Sequence, residues 1–482
     1  MNENIYEGNK KILFMTTFAF FLSFVVWFNM APFNTTLMKV LQLTKEQITV
    51  LMTINVALTI PARIIIGMLV DRFGPRKVYS SLLIVMSIPC FVFAFGTSFW
   101  QLFIARAFLG IIGAGFVIGI RMVSEWFPQK QLGLVEGIYG GWGNFGSAAA
   151  AFSLPIIALW IGGDDGWRYA IGLTGLLSLI YGFIYYRSVQ DTPAKKVYQI
   201  PKRSGAMEIT SYKSMVGLIV MTLPLYGVLG LLTWKLKNVN FIGANIALVI
   251  YIVLAVLYLF NVYKIWSVNK HHLKNGVPKE EQYSFKQVAI LDFAYLITFG
   301  SELAVVSMLP MFFEETFNLT VAQAGMIGGS FAFMNLVARP GGGWLSDKFG
   351  RKKTLMVLLL CLGVAYIAMS QISSSWSLVA AVLLTMVCSF FVQAGEGSVF
   401  SMVPLVKKRI TGQVAGMVGA YGNVGSVIFL TVLSFLNPSL FFMIIGIGAF
   451  ACFIAAFFLV EPKLENEAIV GAMEPKQEEL VG

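Results

Sequence analysis

Two arginines stand inside hydrophobic runs where a permanent charge is expensive. Arg63 lies in INVALTIPARIIIGMLVDRFGPRK, residues 54–77, and Arg339 lies in a second run built the same way. An arginine at the centre of a bilayer costs about 2.5–3.5 kcal/mol on insertion scales. Alone, Arg63 reads equally well as a side chain snorkelling to the headgroups, since it sits about 10 Å from the end of its run. Its recurrence in Arg339 argues for chemistry. Neither arginine has a carboxylate within one helical turn along the chain, so two facing guanidiniums would repel and call for an anion between them. The guanidinium fork is flat, weakly hydrated and charged at any physiological pH, which suits a small planar monovalent oxyanion. Phosphate or sulfate would need more donors.

The surroundings of the two arginines repeat. Arg63, Gly67, Asp71, Gly74 and Lys77 recur as Arg339, Gly343, Asp347, Gly350 and Lys353 at an offset of 276 residues. A second pair follows, GIYGGWGNFG (137–146) and GMVGAYGNVG (416–425), at an offset of 279, with Asn144 facing Asn423 and Trp142 facing Tyr421. The spacing predicts two copies of a six-span unit. Transporters built from such repeats place substrate at the repeat interface near the midplane.

The elements that must position these residues are membrane helices. Of 482 residues 57% are hydrophobic and 12% charged, far from the balance of a soluble globular chain. Fourteen apolar blocks are long enough to span a bilayer at about 20 residues each. An all-α polytopic membrane protein is the expected fold class, divided as a tail 1–12, a six-helix half 13–190, a linker 191–286 with two extra spans (213–234 and 241–266), a six-helix half 287–460 and an acidic disordered tail 461–482. Lys and Arg gather in the even-numbered connections, for example Arg72/Arg76/Lys77 and Arg351/Lys352/Lys353, which predicts cytoplasmic termini. Lys39, Lys45, Arg168, Lys235 and Lys237 depart from that pattern. The net charge of +11 is then accounted for by the membrane and gives no reason to invoke nucleic acid. No cleaved signal is expected. The four isolated cysteines suggest neither disulfides nor a metal site. No polar stretch has room for a soluble catalytic domain, so no enzyme and no cofactor are expected.

Gly67 to Lys77 resembles the signature loop of the major facilitator superfamily, and Arg106 with Gly110 and Gly113 is similar to its fourth-helix motif. The glycines Gly140, Gly141, Gly143, Gly146, Gly419, Gly422 and Gly425, with their asparagines, resemble the paired signatures of the nitrate/nitrite porter family, and FVVWFNMAPFNTT and FGSELAVVSMLP look most like its bacterial and cyanobacterial permeases. The resemblance implies the superfamily fold with an inserted helical hairpin, nitrate and nitrite as substrates, and import across the inner membrane as a monomer. It implies substrate contact by Arg63, Arg339, Asn144 and Tyr295, with Phe116 and Phe299 as aromatic walls and Asn423 as the mate of Asn144. It makes Gly67, Asp71, Arg72, Gly343 and Asp347 conformational-loop residues. A buried amide needs a partner and supplies donors for an oxyanion; the glycines read equally as close-packing residues.

Of the remaining charges within apolar blocks, Asp292 and Glu136 lie towards span ends and are expected to be solvated. Glu302 and Glu396 lie deeper, as proton-coupling residues or as ion-pair partners of an arginine such as Arg106. Proton symport is the leading expectation. Nitrate/nitrite antiport and a non-transporting membrane anion sensor or anchoring subunit stay open.

Overall fold

A membrane interior offers no water to the backbone, so apolar blocks of this length satisfy their amides internally as helices. The computed structural model describes residues 5–462 except 164, 195, 204, 239, 279 and 280. The first half holds α1 (Ile5–Phe28), α2 (Asn34–Val40), α3 (Lys45–Ala57), α4 (Thr59–Phe73), α5 (Pro75–Ala94), α6 (Phe99–Leu109), α7 (Gly115–Trp126), α8 (Leu132–Ile161) and α9 (Gly166–Ser188). Two long helices follow, α10 (Tyr212–Asn238) and α11 (Ala244–Asn275). The second half holds α12 (Phe285–Phe317), α13 (Val321–Phe333), α14 (Asn335–Phe349), α15 (Arg351–Met369), α16 (Leu378–Val406), α17 (Thr411–Leu433) and α18 (Pro438–Ala456).

Among the described residues thirteen helical segments are long and apolar enough to cross a membrane, against fourteen expected. The difference is the block at 322–346, where the chain forms α13 and α14 with a step at Met334. It still belongs to the bundle, because α14 packs between α8 and α16 while α13 packs on α12. The first half has the same step at Leu58, between α3 and α4, at the same 276-residue offset. There Pro61 has no N–H to offer the carbonyl one turn back.

Packing repeats as the sequence does. The pairs α1–α8, α5–α9 and α4–α17 are mirrored by α12–α17, α15–α18 and α14–α8. Each arginine-bearing helix therefore lies against the glycine-signature helix of the opposite half. Outside this symmetry, α10 packs on α11, α12 and α17, and α11 exposes Leu248, Ile252, Val256, Leu259 and Phe260, as a lipid-facing helix does.

Both expected tails need correction at their inner edges. α1 begins at Ile5, inside the stretch expected as tail. Glu461 is ordered: its carboxylate accepts the backbone N–H groups of Arg351 and Lys352 at 2.7 and 2.8 Å, capping the first turn of α15. Asp191 does the same for Arg76 on α5 at 2.7 Å. Burial there holds the Asp191 carboxyl above its ordinary range despite the Arg76 contact. The rest of the acidic tail, 463–482, lies outside the described residues.

Candidate anion site between the halves

Arg63 and Arg339 are each 1% exposed, one on α4 and one on α14, five residues past their helix steps. They meet over one ring. The Arg63 guanidinium lies 5.6 Å from the Phe116 centroid and the Arg339 guanidinium 5.2 Å from it, while Phe299 lies 5.5 Å from Arg63. Phe116, Tyr295 and Phe299 form a parallel stack, with centroids 6.3 and 5.1 Å apart and planes within 5°. Phe400 closes the stack edge-on against Phe116 and Tyr295 at 4.6 and 4.8 Å. Excluding water in this way strengthens every charge interaction inside.

The fork of each arginine is partly committed. Arg63 donates to the Gly419 carbonyl at 2.5 Å, while its Nε has no partner among the described residues. Arg339 donates to the Tyr295 hydroxyl at 3.1 Å and to the Glu396 carboxylate at 2.5 Å. The expectation of two arginines without a counterion is thus overturned for Arg339. Glu396 comes from α16, far along the chain, where no local window could reveal it.

The signature glycines leave space for these groups. A Cβ at Gly140 would come 2.6 Å from the Arg339 Nε, and one at Gly422 would come 2.7 Å from the rings of both Tyr295 and Phe299. Gly141, Gly143, Gly146 and Gly425 sit as closely against Asn335, Phe20, Phe21 and Leu296, and Gly419 lies beside the Arg63 side chain. Asn144 and Asn423 follow one turn beyond Gly140 and Gly419. Asn144 is buried. Asn423 is fully buried with both amide atoms unbonded among the described residues.

Glu302 and Glu396 adjoin this pocket. Glu302 accepts from the Asn335 amide and from Gln393 at 3.3 Å, and the two carboxyls face each other. Arg106, the partner considered from sequence, lies elsewhere and donates to Asn29 at 3.3 Å and to the Trp27 carbonyl at 2.9 Å. Asp292 and Glu136 are also corrected. Both are buried, at 0% and 1% exposure, with their carboxyl oxygens unbonded among the described residues, because α12 starts at Phe285 and α14 covers α8.

On the side carrying the basic connections, two carboxylates tie the halves together. Asp71, at the end of α4, accepts the N–H groups of Gly412 and Gln413 on α17 at 2.8 Å each. Asp347, at the end of α14, accepts those of Gly133 and Leu134 on α8 at 3.1 and 2.9 Å. Each uses the free N–H groups and positive dipole of a helix start. Gly67 and Gly343 let the backbones approach, since a Cβ there would lie 2.3 Å from the Gly412 carbonyl oxygen and 1.9 Å from that of Gly133. Arg72 lies over the Phe73 ring at 5.3 Å.

A sequence model of the Major Facilitator Superfamily matches residues 16–274 and 291–479. The nitrate/nitrite transporter NrtP of Picosynechococcus sp. is 49% identical over 98% of this chain and 98% of its own. NrtP of Nostoc punctiforme is 50% identical over 95% and 94%. The chain belongs to the nitrate/nitrite porter family of the Major Facilitator Superfamily. It is a multi-pass membrane transporter rather than an enzyme. A solved human organic anion transporter of the superfamily fold, MFSD10, superposes with a TM-score of 0.62 at 13% identity, covering 93% of this chain and 99% of that one; at that identity the likeness concerns the fold alone.

Sequence reasoning passed over Arg121, a fully buried residue of this porter. It pairs with Asp71 at 3.3 Å and with Glu125 at 3.1 Å, and it donates to the Tyr198 hydroxyl at 3.1 Å and the Gln199 carbonyl at 2.9 Å. Lys196 reaches the same Glu125 at 2.7 Å, and its burial lowers its affinity for a proton. The four-residue spacing of Arg121 and Glu125 within an apolar block was the available signal.

Proposed function

We propose that this chain imports nitrate, and nitrite with it, across the inner membrane by alternating access coupled to protons, as a monomer with both termini in the cytoplasm. The carrying observation is that Arg63 and Arg339, from opposite halves, converge on the Phe116 ring. A planar anion held between two forks and flanked by the Asn144 and Asn423 amides would satisfy the Arg63 Nε and the Asn423 amide, which have no partner among the described residues. Tyr295 adds a hydroxyl and Phe299 a wall. The names of the cyanobacterial relatives support nitrate and nitrite as the anions.

The halves 13–190 and 287–460 would rock about this site, with 191–286 as the bridge. In the described conformation the Asp71 and Asp347 contacts hold the cytoplasmic side together, and inward release requires both to break. Importing an anion against a negative interior opposes about 2.3 kcal/mol per charge per 100 mV, which symport with two or more protons outweighs. Glu396 supplies the exchange. As a carboxylate it occupies Arg339; once protonated, with Glu302 beside it, it frees that fork for the anion. Binding of proton and nitrate thereby favour each other.

The test is nitrate uptake into proteoliposomes, comparing an imposed inward proton gradient with internal nitrite. Symport predicts uptake driven by the gradient alone. Uptake only with internal nitrite would establish antiport, and no uptake under either condition would leave a sensor or anchoring subunit.

A further inference from the structure

Of the two spans outside the repeat, α10 leaves a crevice against the second half. It holds about 570 Å³ between the first turns of α10 and α12. At its mouth stand Lys213, Lys286 and Ser214; deeper, Gly217, Met221 and Ala289 form the walls. Lys213, Gly217 and Met221 follow one another at four-residue intervals, one face of α10, descending about 12 Å along the helix. The crevice therefore changes from cationic to apolar along the direction of the spans. Lys213 is exposed and makes no ion pair among the described residues. Lys286 is exposed, with its ammonium 4.1 Å from the Phe458 ring. The floor is open because residue 217 is glycine: a Cβ there would stand 3.1 Å from the Phe285 ring.

We propose that this crevice binds an anionic phospholipid, with its phosphate between Lys213 and Lys286 and an acyl chain along Gly217, Met221 and Ala289. A small anion would leave the apolar lower half empty. A peptide at hydrocarbon depth could not satisfy its backbone there. Paired lysines at the mouth of an interhelical cleft on the basic side of a membrane match an anionic headgroup. The lipid would wedge α10 to α12 at a point that touches the transport machinery, since the Met221 carbonyl accepts the Tyr421 hydroxyl at 2.5 Å. Tyr421 precedes Gly422, the glycine packed on Tyr295 and Phe299.

The experiment uses the full-length purified porter, stripped of lipid in detergent and titrated with phosphatidylglycerol or phosphatidylcholine, with bound lipid counted by native mass spectrometry. Phosphatidylglycerol should bind and phosphatidylcholine should not compete. At about fivefold per lysine, the double variant Lys213→Gln/Lys286→Gln should bind phosphatidylglycerol roughly 30-fold more weakly. Lys213→Arg/Lys286→Arg should keep it. Lys264→Gln/Lys270→Gln, which alters lysines of α11 that sit over the Phe260 and Trp266 rings, should change nothing. Equal binding of the two lipids, or a glutamine variant within about twofold of the parent, overturns the proposal. Because the readout is bound lipid, its failure is independent of what the porter carries.

Discussion

Replacing Glu396 with glutamine isolates the coupling step. In the structure this carboxylate holds one nitrogen of Arg339 at 2.5 Å, and the neighbouring nitrogen reaches Tyr295 at 3.1 Å. An arriving anion must either displace the carboxylate or find it neutral. A hydrogen bond to a charged group contributes about 1.5–3 kcal/mol, and each 1.36 kcal/mol is tenfold. Removing the competing charge should therefore tighten nitrate binding at neutral pH by roughly ten- to hundredfold. The sign with pH follows: parent binding should strengthen as acid neutralises Glu396, and Glu396→Gln binding should lose that dependence. Uptake driven by a proton gradient should fall, while nitrate/nitrite exchange persists. Calorimetric nitrate binding at acid and neutral pH, paired with gradient-driven uptake and counterflow, reads all three. Breaking a buried pair can cost about 3–5 kcal/mol of stability, so a monodisperse elution peak is the folding control. A variant whose binding keeps the parent's pH dependence and whose gradient-driven uptake is complete would refute the competition.

Three other predictions concern space, gating and topology. Gly140→Val should abolish nitrate binding, because the new Cβ would stand 2.6 Å from the Arg339 Nε; binding within twofold of the parent would contradict it. Asp71→Asn with Asp347→Asn should weaken four charge-assisted contacts with the opposite half and favour the inward-open form, read as faster thiol labelling of cysteines placed near Gly133 and Gly412 from the cytoplasmic face; unchanged labelling would remove these contacts from the gate. Cysteines placed in the 195–205 and 270–280 connections should label only from the cytoplasmic side, and periplasmic labelling of either would reverse the topology.

The duplication was readable because its chemistry is dense: Arg63 with Asp71 and Arg339 with Asp347 hold fixed spacing, and so do the glycines around Asn144 and Asn423. Apolar blocks located the spans because the bilayer imposes length and composition together. The steps at Leu58 and Met334 fall inside continuous apolar blocks, and only the prolines beyond them, Pro61 and Pro340, mark them in the sequence. Phe116, Tyr295 and Phe299 have the character of ordinary core and were reached through family resemblance alone. The Glu396–Arg339 pair and the burial of Asp292 and Glu136 depend on which helices become neighbours across long separations. Periodicity within one block carries no record of that.

Whether the two guanidinium forks bind the transported anion is decided by nitrate/nitrite counterflow through Arg63→Lys and Arg339→Lys proteoliposomes. Lysine keeps the charge and loses the flat, multidentate fork. Each variant should remain folded in the membrane and lose counterflow by roughly ten- to hundredfold, the loss expected for about 1.5–3 kcal/mol of charged hydrogen bonding. Near-parental counterflow in either variant would show that its arginine does not bind the substrate.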